Sequence, residues 1–95
     1  MPLISRMKFC LGKLVATPGA LAAITESGQH PWDFVVRHMA GDWGEVDRED
    51  KAANDQSLED GSRLLSAYRT AKGQKLWIIT EADRSATTIL LPEEY

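Results

Sequence analysis

The last third of the chain reads RLLSAYRT, AKGQ, KLWIIT, EADR and SATTILL in succession, from Arg63 to Leu91. Three runs rich in β-branched, aromatic and leucine residues are separated by two short gaps of turn formers, which predicts an antiparallel three-strand meander. In the middle run Leu76 and Ile78 point to one face and Trp77 and Ile79 to the other, because side chains alternate along a strand. That strand is apolar on both faces and is expected at the centre of a sheet. Helices on one face cover only half of it, so the other face needs a cover from elsewhere in the chain or from a partner.

The preceding segments supply the helices. Lys8 to Ala16 is predicted as a strand through Phe9, Leu11, Leu14 and Val15, with Gly12 interrupting the alternation. Thr17-Pro18 is a helix start, since threonine is a good N-cap and proline suits the first helical position. Leu21, Ile24 and the alanines between them form its apolar face, and Ser27-Gly28 ends it. A second helix is expected from Pro31, with Trp32, Val35, Val36 and Met39 on its buried face and Phe34 flanking them, ending at Gly41. A third runs from the N-cap Asp47 to Gly61, with acids in its first turn and a thin apolar face of Ala52, Ala53 and Leu58. The expected fold is α+β. It has an antiparallel sheet of three to four strands, the meander plus the N-terminal strand, with two to three helices packed mainly on one face. Residues 1–95 make one domain, with 1–7 read as a loose extension because Met7 is an alternative start.

Charge is distributed unevenly. The segment Asp42–Asp60 holds eight acidic and two basic residues, a net charge of -6, while the other seventy-six residues sum to +3. With a net charge of -3 and a pI near 5.3, the whole chain lacks the electrostatic footprint of a nucleic-acid binder. A local basic face remains open, from Arg63, Arg69, Lys72, Lys75 and Arg84. The one cysteine, Cys10, cannot close an internal disulfide, and no apolar run nears the roughly 20 residues that span a bilayer. A reducing cytoplasm without membrane attachment is the expected setting, and the N-terminal residues make a poor signal peptide.

Few motifs carry chemistry. The acids Asp42, Glu45, Asp47, Glu49 and Asp50 offer oxygens for a hard cation, but their spacing departs from the EF-hand loop. Ordinary helix capping accounts for much of the charge, and docking on a basic partner accounts for the rest. His30 and His38 are eight residues apart and fit no zinc pattern; His30 reads as a helix-entry residue and His38 as a cation at the negative end of a helix dipole. Cys10 lies in an apolar run and reads as a small hydrophobe. No nucleophile elbow or phosphate loop is present in the sequence, so no catalytic residue, metal or cofactor is assigned.

Two stretches, LVATPGALAAI and the run from Gly41 to Tyr95 that contains WIITEADRS and TTILLPEEY, resemble a family of small bacterial plasmid-related proteins of mobile elements. The likeness covers nearly the whole chain after Lys8. Some members of that family carry a label as the modification subunit of a type I restriction enzyme. Such a subunit is an adenine methyltransferase, which needs a Rossmann-like sheet, a glycine-rich loop for S-adenosylmethionine and an NPP-type motif. This sequence has no such loop or motif. The resemblance therefore implies a setting in bacterial mobile DNA and brings no catalytic residues with it.

The expected function is a non-enzymatic interaction module of a plasmid or phage-related element that counters or assists host defence, as an anti-restriction or anti-CRISPR-like inhibitor does. It would engage a protein with a basic surface through Trp43, Glu45, Asp47, Glu49 and Asp50, with Trp43 as an exposed anchor. The alternative is a small toxin-like RNA-binding protein or ribonuclease using Arg63, Arg69, Lys75 and Arg84, with Tyr68 and Trp77 for stacking. A homodimer that covers the doubly apolar strand is a third expectation.

Overall fold

A computed structural model describes residues 7–95. Apart from Met7, which packs against the core, the expected N-terminal extension lies outside the described residues. The elements run β1 (Lys13–Ala16), α1 (Pro18–Glu26), α2 (Pro31–Met39), α3 (Arg48–Asp60), β2 (Leu64–Arg69), β3 (Lys75–Thr80) and β4 (Ala86–Leu90), followed by a 3-10 turn at Pro92–Glu94. The fold is α+β, with the sheet ordered β1-β4-β3-β2. No helix among the described residues is long and apolar enough to cross a membrane.

The meander forms as the turn chemistry requires. Leu65 pairs with Ile79 and Ala67 with Trp77 across β2 and β3, and Ile78 pairs with Ile89 across β3 and β4, all antiparallel. β3 is an interior strand. The fourth strand departs from expectation, because β1 pairs with β4 in parallel, Leu14 beside Thr87 and Ala16 beside Ile89, so the sheet is mixed. Thr17 N–H bonds the Ile89 carbonyl at 3.0 Å, and α1 then turns back over the sheet from the end where β4 finishes. That return onto the inner face sets the direction of β1. The strand is also shorter than Lys8–Ala16, since Gly12 takes φ +65° and its Cα abuts the backbone of Arg84 and Ser85 so closely that a Cβ would overlap them.

α1 and α2 cover one face. Ala20, Ala23, Ile24, Phe34, Val35 and Met39 pack on Tyr68, Leu76, Ile78, Ile89 and Leu91 in one cluster. Phe34 is inside this core, whereas Trp32 is 41% exposed, which reverses the roles expected for the two aromatics. Thr17 caps α1 and His30 caps α2, with His30 Nδ1 accepting the Trp32 N–H at 3.1 Å and Asp33 completing a capping box. The opposite, outer face carries Trp77 and Ile79. Tyr95 lies against Trp77 with ring centroids 5.7 Å apart and bonds Arg63 from its hydroxyl, so the chain itself partly covers this face.

α3 has a different attachment. Its buried residues are Asn54 and Ser57, while Ala52 and Ala53 are exposed and Leu58 is half-buried, so the thin apolar stripe is not what holds it. β2 is an edge strand, and its outward backbone groups need partners that exclude other strands. Asn54 bonds both the N–H and the carbonyl of Leu65, at 3.1 and 2.7 Å. One step along, Ala67 N–H bonds the Trp43 carbonyl at 3.1 Å and the Ala67 carbonyl accepts the Glu45 N–H at 2.7 Å. The residue between them, Gly44, has φ +73° and lies so near Ala67 that a Cβ would overlap its carbonyl oxygen.

Asn54→Ala removes two hydrogen bonds to a strand edge and should lower the unfolding free energy by about 2 kcal/mol. Gly44→Ala should cost about 2 kcal/mol or more, from the positive φ and the overlap. Urea denaturation reads both; an unchanged midpoint for either variant contradicts this edge closure.

Candidate functional site

The belt from Asp42 to Asp60 wraps the β2 edge and divides into three parts. Asp42 and Glu45 are paired with arginines: Arg37 Nε donates to Asp42 Oδ2 at 2.8 Å and Arg69 Nε donates to Glu45 Oε1 at 2.8 Å. Asp47, Asp55 and Asp60 are bound locally, Asp47 as the N-cap accepting the Asp50 N–H at 2.8 Å, Asp55 accepting the Trp43 indole N–H at 3.0 Å and Asp60 accepting the Ser62 N–H at 2.9 Å. Glu49, Asp50 and Glu59 are exposed on α3, and their carboxylates make no ion pair among the described residues.

The two ion pairs line an open cleft of about 240 Å³, with Gly44, Ala67 and Tyr68 as its remaining walls. Arg37 stacks over the Tyr68 ring with its guanidinium carbon 4.5 Å from the centroid. The Tyr68 hydroxyl donates to the Asp42 carbonyl, and burial pushes that phenol above its ordinary range. Hydrogen bonding from Arg37, reinforced by the Gly44 N–H, holds the Asp42 carboxyl below the usual carboxylate range. The cleft carries both signs of charge.

Trp43 is not an exposed anchor. It is 4% exposed, stacked near Phe9 at 6.2 Å and edge-on to His38 at 5.7 Å. Pairing Gly44 with Ala67 along the sheet edge turns the Trp43 indole inward, and Asp55 satisfies its N–H. Tyr68 is likewise buried and has no ring face open for stacking.

The basic residues scatter. Arg63 reaches the Tyr95 hydroxyl at 2.7 Å, Arg69 is held by Glu45, and Lys75 is exposed opposite Arg69. Arg84 lies apart from these three, in the β3–β4 turn at φ +60°. Its guanidinium donates to the carbonyls of Ser57 at 2.9 Å and Ser62 at 2.6 Å, which fastens the turn to the C-terminal end of α3. A cation there meets the negative end of the helix dipole, so Arg84 is committed to the fold.

His38 differs most from its sequence reading. It is fully buried, and its ring joins a polar chain that crosses the core. The Thr87 hydroxyl donates to the Leu11 carbonyl at 2.7 Å, so it accepts from Thr80 at 2.8 Å. Thr80 in turn accepts at 2.9 Å from His38 Nε2–H, which leaves Nδ1 bare to accept the Ser66 hydroxyl at 2.5 Å. The tautomer follows from the network, since each hydroxyl has one proton to give. Burial, with Arg84 nearby, pushes the His38 pKa down to about 3. The ring is therefore neutral, and the dipole account, which needs a cation, does not hold. A serine donating to a histidine resembles half of a nucleophilic dyad, but Ser66 is 0% exposed and no substrate reaches it. The available signal was a run of polar residues, Ser66, Thr80 and Thr87, at positions where alternation puts side chains on the core face.

Folded His38 stays unprotonated where the unfolded chain, with a pKa near 6.5, takes up a proton, so stability falls as pH drops from about 6.5 towards 3. The wild type should lose about 1.5 kcal/mol more than His38→Gln between about pH 6.5 and 5, at roughly 1 kcal/mol per pH unit. Urea titrations across that range measure the difference; equal slopes contradict a buried neutral His38.

No family model, curated protein or solved structure matches this chain.

Proposed function

We propose that the chain is a non-enzymatic protein-interaction module that docks the exposed acidic face of α3 on a basic patch of a protein partner. One observation carries this reading: Glu49, Asp50 and Glu59 are exposed and unpaired on a helix whose other acids are used for capping, for the Trp43 indole or for the Ser62 N–H. Arg48 and Lys51 stand beside Glu49 and Asp50, but the helix keeps a net negative charge, and such an excess steers encounter with a complementary surface and selects against wrong partners. The helix is also well seated for such a role, because Asn54 pins its middle to the β2 backbone and Arg84 pins its C-terminal end.

Trp43 and Asp47 drop out as contact residues on this reading, the first as core and the second as N-cap. The resemblance to plasmid-related proteins favours a partner in bacterial host defence, such as a nucleic-acid enzyme whose basic groove an acidic helix can occupy. Enzymatic function gains no support from the buried Ser66–His38 pair.

The test uses the triple variant Glu49→Gln, Asp50→Asn, Glu59→Gln, which removes charge without touching a cap or a buried group. A partner captured by the wild type from a bacterial lysate should bind the variant about tenfold or more weakly, mainly through a slower association rate. Raising the salt concentration should weaken the wild-type complex in the same direction. A partner that binds both proteins equally sinks the reading, as does a complex insensitive to salt.

A further inference from the structure

The outer face of the sheet has the opposite chemistry. Alternation from the core residues Leu64, Tyr68 and Leu76 puts Arg63, Arg69 and Lys75 on this side, and the pairing of Leu14 with the buried Thr87 puts Lys13 there too. Arg69 is neutralised by Glu45, but Lys13 and Lys75 are exposed and make no ion pair among the described residues. Arg63 is matched only with the neutral phenol of Tyr95, so its charge is uncompensated. Glu81, which follows Thr80 and bonds the Ala86 carbonyl through its N–H, lies in the row between Arg63 and Lys13, and Glu93 and Glu94 precede Tyr95, but none of the three is in an ion pair with these cations.

An aromatic pair lies among these cations. Trp77 is half-buried and meets Tyr95 at an interplanar angle of 69°, while Tyr95 is 68% exposed. Arg63 lies 5.7 Å from the Tyr95 centroid and also donates to its hydroxyl, so the ring is braced on two sides. In the register, Leu65 and Ile79 fall between the Trp77 row and the Arg63 row, and Ile79 is only 5% exposed. A firm apolar floor therefore supports an aromatic ring with an open face, flanked by unpaired cations.

We propose that this outer face binds single-stranded nucleic acid, with Lys13, Arg63 and Lys75 taking phosphates and a base stacking on Tyr95. Uncompensated positive charge calls for an anionic occupant. The exposed ring narrows the choice, because an unpaired base offers a π face that an acidic peptide or a duplex side does not. The site is separate from the acidic face of α3, and it differs from the sequence-based set by losing Arg69, Arg84 and Tyr68 and gaining Lys13 and Tyr95.

The experiment titrates the full chain into fluorescein-labelled oligouridylate and oligothymidylate of about 12 nucleotides, a length within the span of single-strand sites, and follows anisotropy. Saturable binding of at least one of the two is expected. With about 0.7 of a counterion released per single-strand phosphate contact, three contacts predict a fall in affinity of about 20-fold from about 50 to about 200 mM salt. Tyr95→Ala should weaken binding about tenfold. Lys75→Gln should flatten the salt dependence by about one contact's worth. Both residues are exposed, and circular dichroism checks that the variants keep the fold. A preference for one oligonucleotide tells RNA from DNA. The proposal is overturned by any of four results: no saturable signal at low salt, binding unchanged in both variants, equal affinity for polyglutamate, or Lys75-dependent self-association that makes a second copy the occupant.

Discussion

The outward backbone groups of β2 govern how the middle of the chain is arranged. An edge strand left open invites pairing with other chains, and here the groups at Leu65 and Ala67 are closed by a side chain and by a short parallel bridge. Closing the edge this way requires a residue without a Cβ at Gly44, and that close approach turns Trp43 into the core. It also sets Asp42 and Glu45 beside Arg37 and Arg69, so the cleft is a by-product of the same contact. A segment that reads as an acidic surface is thus first a piece of sheet-edge architecture.

The core has a second dependence, on a line of polar groups rather than on apolar packing. Ser66, His38, Thr80, Thr87 and the Leu11 carbonyl form one directed chain with every proton assigned, and no buried side-chain polar atom among the described residues lacks a partner. Buried polar groups are costly unless all are satisfied, and a satisfied set admits few alternative packings. The chain ties α2 to β2, β3 and β4 and to the segment before β1. It fixes the rotation of α2 on the sheet more tightly than the apolar residues of that helix would by themselves.

Local features were legible in the sequence and long-range ones were not. The caps at Thr17, His30 and Asp47, the stop at Gly61 and the meander with β3 inside it all follow from interactions within a few residues. The parallel pairing of β1 with β4, the inward turn of Trp43 and the polar seat of α3 depend on partners far along the chain. Asn54 shows the reason: it looks like any surface amide in an acidic helix, yet it takes over the bonding of a strand edge through Leu65. For the candidate site, the exposure of Glu49 and Asp50 was readable from helix periodicity, whereas the commitment of Arg84 to the carbonyls of Ser57 and Ser62 was not.

Net charge conceals the feature that decides which partners fit. An overall charge of -3 argues against nucleic acid only if the charge is spread evenly, and the fold does the opposite. Acids concentrate on α3 at the β2 edge, while Lys13, Arg63 and Lys75 share the outer face of the sheet. Because screening confines exposed charges to a range of about 10 Å, each surface presents its own sign to a partner close by. Arg37, Arg69 and Arg84 are each held by a local acid or carbonyl, and although Arg48 and Lys51 are exposed on α3, its acids outnumber them. The molecule can therefore carry an acidic docking helix and a basic, aromatic sheet face without either cancelling the other.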